Sequence, residues 1–397
     1  MKFHIRTLGC KMNWLDSARV SAQLLEAGHT QTTEEADADI VLINSCTVTG
    51  QADRKSRQET RSALRLEKEV AVIGCGPRVD DSLWQKDLPG AQIFSSEEAL
   101  FDALGIEVSD QLPPANSRTR LPVAIQTGCD NLCQFCITRV ARGTHQSLPS
   151  ETITTQINQA SEMGVQEVIL TGINLGAWGC DDSRQAKETK LPHLLNAILE
   201  KTSIPRVRIS SLGPQYLDKA FFDIFTDQRL CDHLHLSVQS GSEAVLNEMQ
   251  RGHGVEEILR IAEVSRKARP RVAITADFIT GFPGEIDLHF EQTLDFAAQV
   301  GFAKLHVFPY SEREGTAAAI RSDQIASNLR KERAKELRNL GRELRTNFLD
   351  NQLGLQTQVL VESAQTGLSS NYIRLRTPGD IEGAIVSRQI SIESLAE

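Results

Sequence analysis

From residue 1 to about 107, short β-branched runs alternate with stretches whose apolar side chains recur at helical spacing. The runs at 3–7, 40–44 and 70–73 predict strands, and 16–27 and 51–67 predict helices between them. Strands separated by helices pair in parallel, so this part reads as a three-layer α/β domain with a parallel sheet over 1–107. Residues 108–121 are polar, carry the adjacent Pro113 and Pro114, and read as a linker. From residue 122 the rhythm restarts. Six strands are predicted at 122–126, 167–171, 206–210, 233–238, 272–278 and 304–308, with helices at 151–163, 191–201, 243–267 and 288–300. Six βα units in succession predict a partial (βα)6 barrel whose functional residues sit at the C-terminal ends of its strands. A charged helix over 323–350 completes the 122–350 block, and short runs at 358–361, 372–375 and 383–386 predict a small all-β module over 355–397.

Composition narrows the class. At 397 residues, with 40% hydrophobic and 24% charged positions, the chain can bury several cores, which excludes disorder throughout. No run reaches the ~18 apolar residues of a membrane span. The N-terminus lacks a secretory pattern, so a cytoplasmic protein without membrane contact is expected. A net charge of −9 argues against coating nucleic acid by bulk charge. Two helical stretches are locally basic: 54–68 has six basic and two acidic residues, and 330–345 has seven and three. Either could track phosphates or be an ordinary solvated helix face.

Eight cysteines in a reducing compartment are not a disulfide framework. Cys129-Asp-Asn-Leu-Cys133-Gln-Phe-Cys136 follows the first barrel strand directly. Three thiolates in eight residues can wrap one [4Fe–4S] cluster and leave one iron open, since such clusters normally take four cysteines. Buried thiols and a zinc site are the alternatives, though zinc prefers four ligands. Cys10, Cys46 and Cys75 each lie just past a predicted strand of the first domain, so a parallel sheet would gather them at one edge. Burial as core cysteines competes with that reading. Cys180 and Cys231 have no partner at suitable spacing.

The CxxxCxxC loop at the mouth of a six-unit barrel resembles the radical S-adenosylmethionine (SAM) superfamily. The three-cysteine domain before it is similar to the methylthiotransferase family. The blocks that carry the likeness span nearly the whole chain: Thr7-Leu-Gly-Cys10-Lys-Met-Asn13, Asn44-Ser-Cys46, Gly74-Cys75, Leu170-Thr-Gly-Ile-Asn174, Leu236-Ser-Val-Gln-Ser-Gly-Ser242, Gly281-Phe-Pro-Gly-Glu285 and His306-Val-Phe-Pro-Tyr-Ser311. The resemblance implies two [4Fe–4S] clusters, on Cys129, Cys133 and Cys136 and on Cys10, Cys46 and Cys75. It also implies SAM held by Thr171, Asn174, Ser210, Gln239, Ser240, Arg251, Asp277 and Gly281. It assigns no acid–base catalyst. The opening block is most like the MtaB-like branch acting on N6-threonylcarbamoyladenosine of tRNA, which makes the anticodon stem-loop the expected partner. Another tRNA adenosine or a ribosomal-protein side chain is the alternative substrate, and an iron–sulfur electron-transfer protein the alternative class. Residues 367–374 resemble a TRAM domain, an RNA-binding module, although 355–397 carries a net charge of −2.

Overall fold

A computed structural model describes residues 1–108, 119–180 and 190–396. The first sheet comprises β1 (Lys2–Thr7), β2 (Thr30–Gln31), β3 (Ile40–Ser45), β4 (Glu69–Gly74) and β5 (Gln92–Ile93), all parallel in the order β2-β1-β3-β4-β5. Its central strand is apolar on both faces. Ile40 and Leu42 pack with Phe3, Leu24 and Phe101 on one side, while Val41 and Ile43 pack with Val72 and Trp84 on the other. Helices cover both faces, so near-continuous apolar runs were the correct strand signal. The helix expected over 16–27 starts earlier, as Lys11–Glu26, directly after Cys10.

The second block holds β6 (Arg120–Ala124), β7 (Gln126–Thr127), β8 (Gln146–Ser147), β9 (Glu167–Thr171), β10 (Arg206–Ile209), β11 (Ser211–Leu212), β12 (His233–Gln239), β13 (Ala273–Thr280) and β14 (Lys304–Pro309). Strand β6 begins two residues before the predicted boundary; the rest of the expected linker, 109–118, lies outside the described residues. Parallel pairing runs β6-β9-β10 and then β11-β12-β13-β14. The third predicted strand, 206–210, ends at Ile209 and pairs with β9; after Ser210 the chain continues as β11, which was not expected and pairs with β12. The six strands are therefore one open barrel wall. The helix expected over 243–267 is two helices, Glu243–Glu248 and Val255–Ala268. The glycines at 252 and 254 lie in the break between them, and Arg251 lies there too.

Alternation along these strands separates two environments. Val168, Leu170, Val207, Ile209, Leu234 and Leu236 pack outward into the helix-covered core. Their neighbours Thr171, Arg208, His233 and His235 point into the barrel. A side-chain period of two makes the interior polar while the outer face stays apolar.

The last block is a four-stranded antiparallel sheet of β15 (Gln356–Val361), β16 (Thr366–Ser369), β17 (Arg374–Arg376) and β18 (Ile385–Gln389), in the order β17-β16-β15-β18. β16 was not expected, because Thr366-Gly-Leu-Ser reads as a turn. This sheet is a TRAM-like module, and buried charge docks it to the barrel. Glu167, fully buried, accepts from Arg208 Nε at 2.7 Å and Arg120 Nε at 2.8 Å, and pairs with Arg206 Nη2 at 2.7 Å. Arg206 and Arg208 then donate to the carbonyls of Leu368, Ser369 and Ser370 at 3.1 Å. Burial disfavours the Glu167 carboxylate, but the three guanidinium groups outweigh it and hold its pKa well below the usual range.

The long helix Ser327–Asp350 packs on the barrel rather than presenting a free basic face. Arg330 and Arg333 are buried against Glu312, Glu285 and Asp287, and Arg338 donates to the Val307 carbonyl. In the first domain Arg57 pairs with Asp53 and Asp87 and lies over the Trp84 ring at 4.4 Å. Much of the locally basic charge is therefore engaged within the fold.

Glu167→Gln should lower stability by roughly 3–5 kcal/mol, because removing one partner of a buried charge cluster strands the others. Thermal melts and limited proteolysis after residue 350 measure it. Because the folded pKa of Glu167 is depressed, its stabilisation is complete above the unfolded value of about 4.3 and is lost as pH falls through the folded value. The wild-type melting temperature should drop there more steeply than that of the Gln variant.

Candidate functional site

Both predicted cysteine groups assemble. Cys10 follows β1 and caps the Lys11–Glu26 helix, Cys46 follows β3, and Cys75 opens the short helix Cys75–Val79 after β4. Because β1, β3 and β4 are neighbours in a parallel sheet, their C-terminal ends meet at one edge. Gly9 has φ +98°, and a Cβ there would lie 2.7 Å from Cys46 Cβ, so glycine is required for the approach. Asn13, fully buried, sits among the three. Its Oδ1 is 3.8 Å from Cys10 Sγ and 3.6 Å from Cys75 Sγ, and its Nδ2 donates to the Leu8 and Ser45 carbonyls at 2.8 Å.

Cys129, Cys133 and Cys136 lie on the loop after β7. Gly128, φ +67°, allows that loop to pass Thr144: a Cβ would stand 1.7 Å from the Thr144 carbonyl oxygen. Gln126 fastens the loop to the next strand. Its Oε1 accepts from the backbone N–H of Ile173 and Asn174 at 3.0 and 2.8 Å, and its Nε2 donates to the Gly128 carbonyl at 2.6 Å.

A cavity of 580 Å³ is lined by Cys129, Cys133 and Cys136 and, from the first domain, by Cys10; Cys46 and Cys75 are buried and do not line it. Of the residues expected to hold SAM, Thr171, Asn174, Ser210, Gln239, Arg251 and Asp277 line it. Ser240 and Gly281 do not. The Ser240 hydroxyl faces Thr293 at 3.3 Å, and the Gly281 N–H donates to Glu285 at 2.7 Å against the Arg330 stem. Gln239 has φ +76°, a left-handed conformation costly for a side-chain-bearing residue, at the end of β12.

Burial pushes the Cys46 and Cys75 thiols up and the Cys129 thiol to about 11, so each stays protonated until a metal takes it. Asp277 accepts from His235 at 3.1 Å and lies 3.5 Å from His306. Burial opposes its ionisation, but the two imidazoles outweigh that and hold it well below the usual carboxylate range.

The residues fit an iron–sulfur cluster with a polar ligand beside it. Among the described residues neither cysteine group brings its three sulfurs within 4.8 Å of one another. Tetrahedral zinc with ~2.3 Å bonds would need sulfurs about 3.8 Å apart. Arg251 Nη1 stands 3.2 Å from Cys133 Sγ, a cation placed where a thiolate would carry charge. Thr171 Oγ1 and Arg251 Nε are buried at the cavity wall without a protein hydrogen-bond partner. Native structures rarely leave such atoms unsatisfied, so they mark where a ligand belongs.

The radical SAM superfamily profile matches residues 123–297, and that of uncharacterized protein family UPF0004 matches 2–95. Threonylcarbamoyladenosine tRNA methylthiotransferase MtaB of Bacillus subtilis is 32% identical over 98% of this chain and 93% of its own length. The chain belongs to the radical SAM methylthiotransferase family. A tRNA-2-methylthio-N(6)-dimethylallyladenosine synthase of Oceanobacillus iheyensis is 34% identical over 91% of this chain and 74% of its own. The solved structure of TsrM from Kitasatospora setae, a radical S-adenosylmethionine methyltransferase, shares the fold with a TM-score of 0.57, at 12% identity, covering 80% of this chain and 77% of that one. This methylthiotransferase is thus an enzyme that uses SAM and an iron–sulfur cluster.

Sequence reasoning gave no role to several residues at the methylthiotransferase site. Gln126 is only the last residue of the first predicted barrel strand. His235 and His306 were readable as polar positions alternating with apolar ones in their strands. Tyr372 has no local signal, because it arrives from the C-terminal module: its ring stacks on His233 at 4.4 Å and it lines the cavity. Arg142 was likewise unmarked. It donates to Asn13 Oδ1 at 2.6 Å and pairs with Asp16 at 2.7 Å.

Gly128→Ala should displace the CxxxCxxC loop. The expected result is reconstituted protein with markedly less iron and no 5′-deoxyadenosine from SAM and dithionite, while circular dichroism stays near wild type. Wild-type iron content in that variant would contradict the placement of the loop.

Proposed function

We propose that this enzyme inserts a methylthio group at C2 of N6-threonylcarbamoyladenosine beside the anticodon of tRNA, in the cytoplasm, using two [4Fe–4S] clusters. The observation that carries the reading is the 580 Å³ cavity that Cys129, Cys133 and Cys136 line together with Cys10 of the first-domain group. A lone electron carrier needs no such chamber. Bound at Cys129, Cys133 and Cys136, a cluster with SAM supplies hydrogen-abstracting radical chemistry, and sulfur for transfer belongs at Cys10, Cys46 and Cys75.

The chain's own residues then position the ligands. Thr171 and Arg251 offer the unsatisfied atoms, with Asn174, Ser210, Gln239 and Asp277 on the same wall. Ser240 and Gly281 act at one remove, Ser240 through the turn that carries Gln239 and Gly281 through the Glu285–Arg333 pair at 2.8 Å. Nearly full-length likeness to the Bacillus subtilis relative, named for threonylcarbamoyladenosine, supports the choice of base. The 34% identity to the dimethylallyladenosine enzyme makes that base the competing substrate. No helix among the described residues is long and apolar enough to cross a membrane.

Nucleoside mass spectrometry on tRNA from a deletion strain should show loss of the 2-methylthio form of N6-threonylcarbamoyladenosine and accumulation of the unthiolated nucleoside. An unchanged profile would overturn the substrate. Changing Cys10, Cys46 and Cys75 together to Ala should reduce iron by about half after anaerobic reconstitution. Undiminished iron would overturn the two-cluster assignment.

A further inference from the structure

The charges on the cavity wall are unequal in one respect. Arg120 is paired with Glu167 and Glu362, Arg208 with Glu167, and Arg251 donates to Ser237 and Cys133. Lys11 lines the same cavity, is exposed, and among the described residues has no hydrogen bond or ion pair. It is the first residue of the Lys11–Glu26 helix, whose first turn contains no acidic side chain. A cation there opposes the helix dipole, so folding alone does not explain it. Lys11 and His233 line the same cavity. Burial keeps the His233 imidazole neutral, and the Lys11 ammonium is among the cations acting in the same direction.

Tyr372 lines the same cavity and is held at φ +64°, a left-handed backbone that a bulky residue rarely adopts. Lys11 and Tyr372 also line a second, adjoining hollow together with Cys10, Arg120 and Ile169. The first domain, the barrel and the C-terminal module thus all contribute to one corner; the exposed Glu382 lines the outer hollow but not the cavity, where Lys11 is the cation left without a partner among the described residues. Strain accumulated at a cavity wall points to function rather than packing.

We propose that Lys11 is a specificity-determining residue, its ammonium pairing with the carboxylate that a threonylcarbamoyl group places beside N6 of the adenine. The inference rests on the substrate reading above and names the residue that selects it. A neutral hydrocarbon substituent at N6 would leave the ammonium unpaired, whereas a carboxylate completes it with a charge-assisted hydrogen bond.

The test uses full-length, anaerobically reconstituted enzyme and two synthetic anticodon stem-loops. One carries N6-threonylcarbamoyladenosine and the other its carboxamide, in which the negative charge is removed and the shape kept. Lys11→Gln should lower kcat/KM on the carboxylate RNA by roughly 10- to 100-fold, mainly through KM, the range expected for one hydrogen bond to a charged group. The loss on the carboxamide RNA should be at least fivefold smaller, and Lys11→Arg should restore most of the activity on the carboxylate RNA. Equal losses on both RNAs would overturn the proposal in favour of a phosphate contact, and an unaltered KM or a loss of iron would also overturn it. Wild-type enzyme inactive on the carboxylate RNA would instead bring down the substrate reading itself.

Discussion

Arg142 ties the two halves of the site together. It follows the CxxxCxxC loop, on the short helix Thr138–Arg142, yet its guanidinium is engaged by Asp16 and Asn13 of the first domain. Asn13 in turn lies against Cys10 and Cys75. A second contact fixes the opposite flank: Ser311 accepts from the Gly50 N–H at 2.8 Å, and Arg313 donates to Thr47. Two parallel sheets each collect chemistry at their C-terminal edges, and these contacts set the edges face to face. Without them the chain would hold two separate groups of thiols.

The barrel interior shows what that arrangement requires. A core of this size would ordinarily be filled by apolar side chains, but here the inward positions are mostly polar, with Ile169 an apolar exception, and the space between them is open. The apolar residues between them still anchor the outer helices, so stability is supplied on one face and reactivity on the other. The C-terminal module closes one side. Its attachment through Arg206, Arg208 and Glu167 is buried and fully charged, a geometry that holds Tyr372 in place while contributing little net stability by itself.

Much of this was legible in the linear pattern because the signals were local. All six barrel strands and three of the five strands of the first sheet follow from β-branched runs. The convergence of Cys10, Cys46 and Cys75 follows from parallel pairing. The missed strands β2 and β5 are two-residue edge pieces, too short for any periodicity, and β16 contains Gly367, where a Cβ would meet the Leu360 carbonyl at 2.5 Å. The single helix expected over 243–267 failed because its apolar spacing continues through the Gly252 and Gly254 break that presents Arg251. Arg142 and Tyr372 could not be found from local sequence, since their partners lie on other domains, and Lys11 stood only as one member of the opening block, with no role of its own. Ser240 and Gly281 were singled out by motif, and packing places them behind the cavity wall.

The most direct measurement is electron paramagnetic resonance of dithionite-reduced protein, comparing wild type with the two triple Cys→Ala variants. If both cysteine groups hold clusters that face one cavity, the wild-type signal is broadened by spin–spin interaction and each variant gives a simple, unbroadened spectrum. A wild-type spectrum equal to the sum of the two variant spectra would contradict the shared chamber.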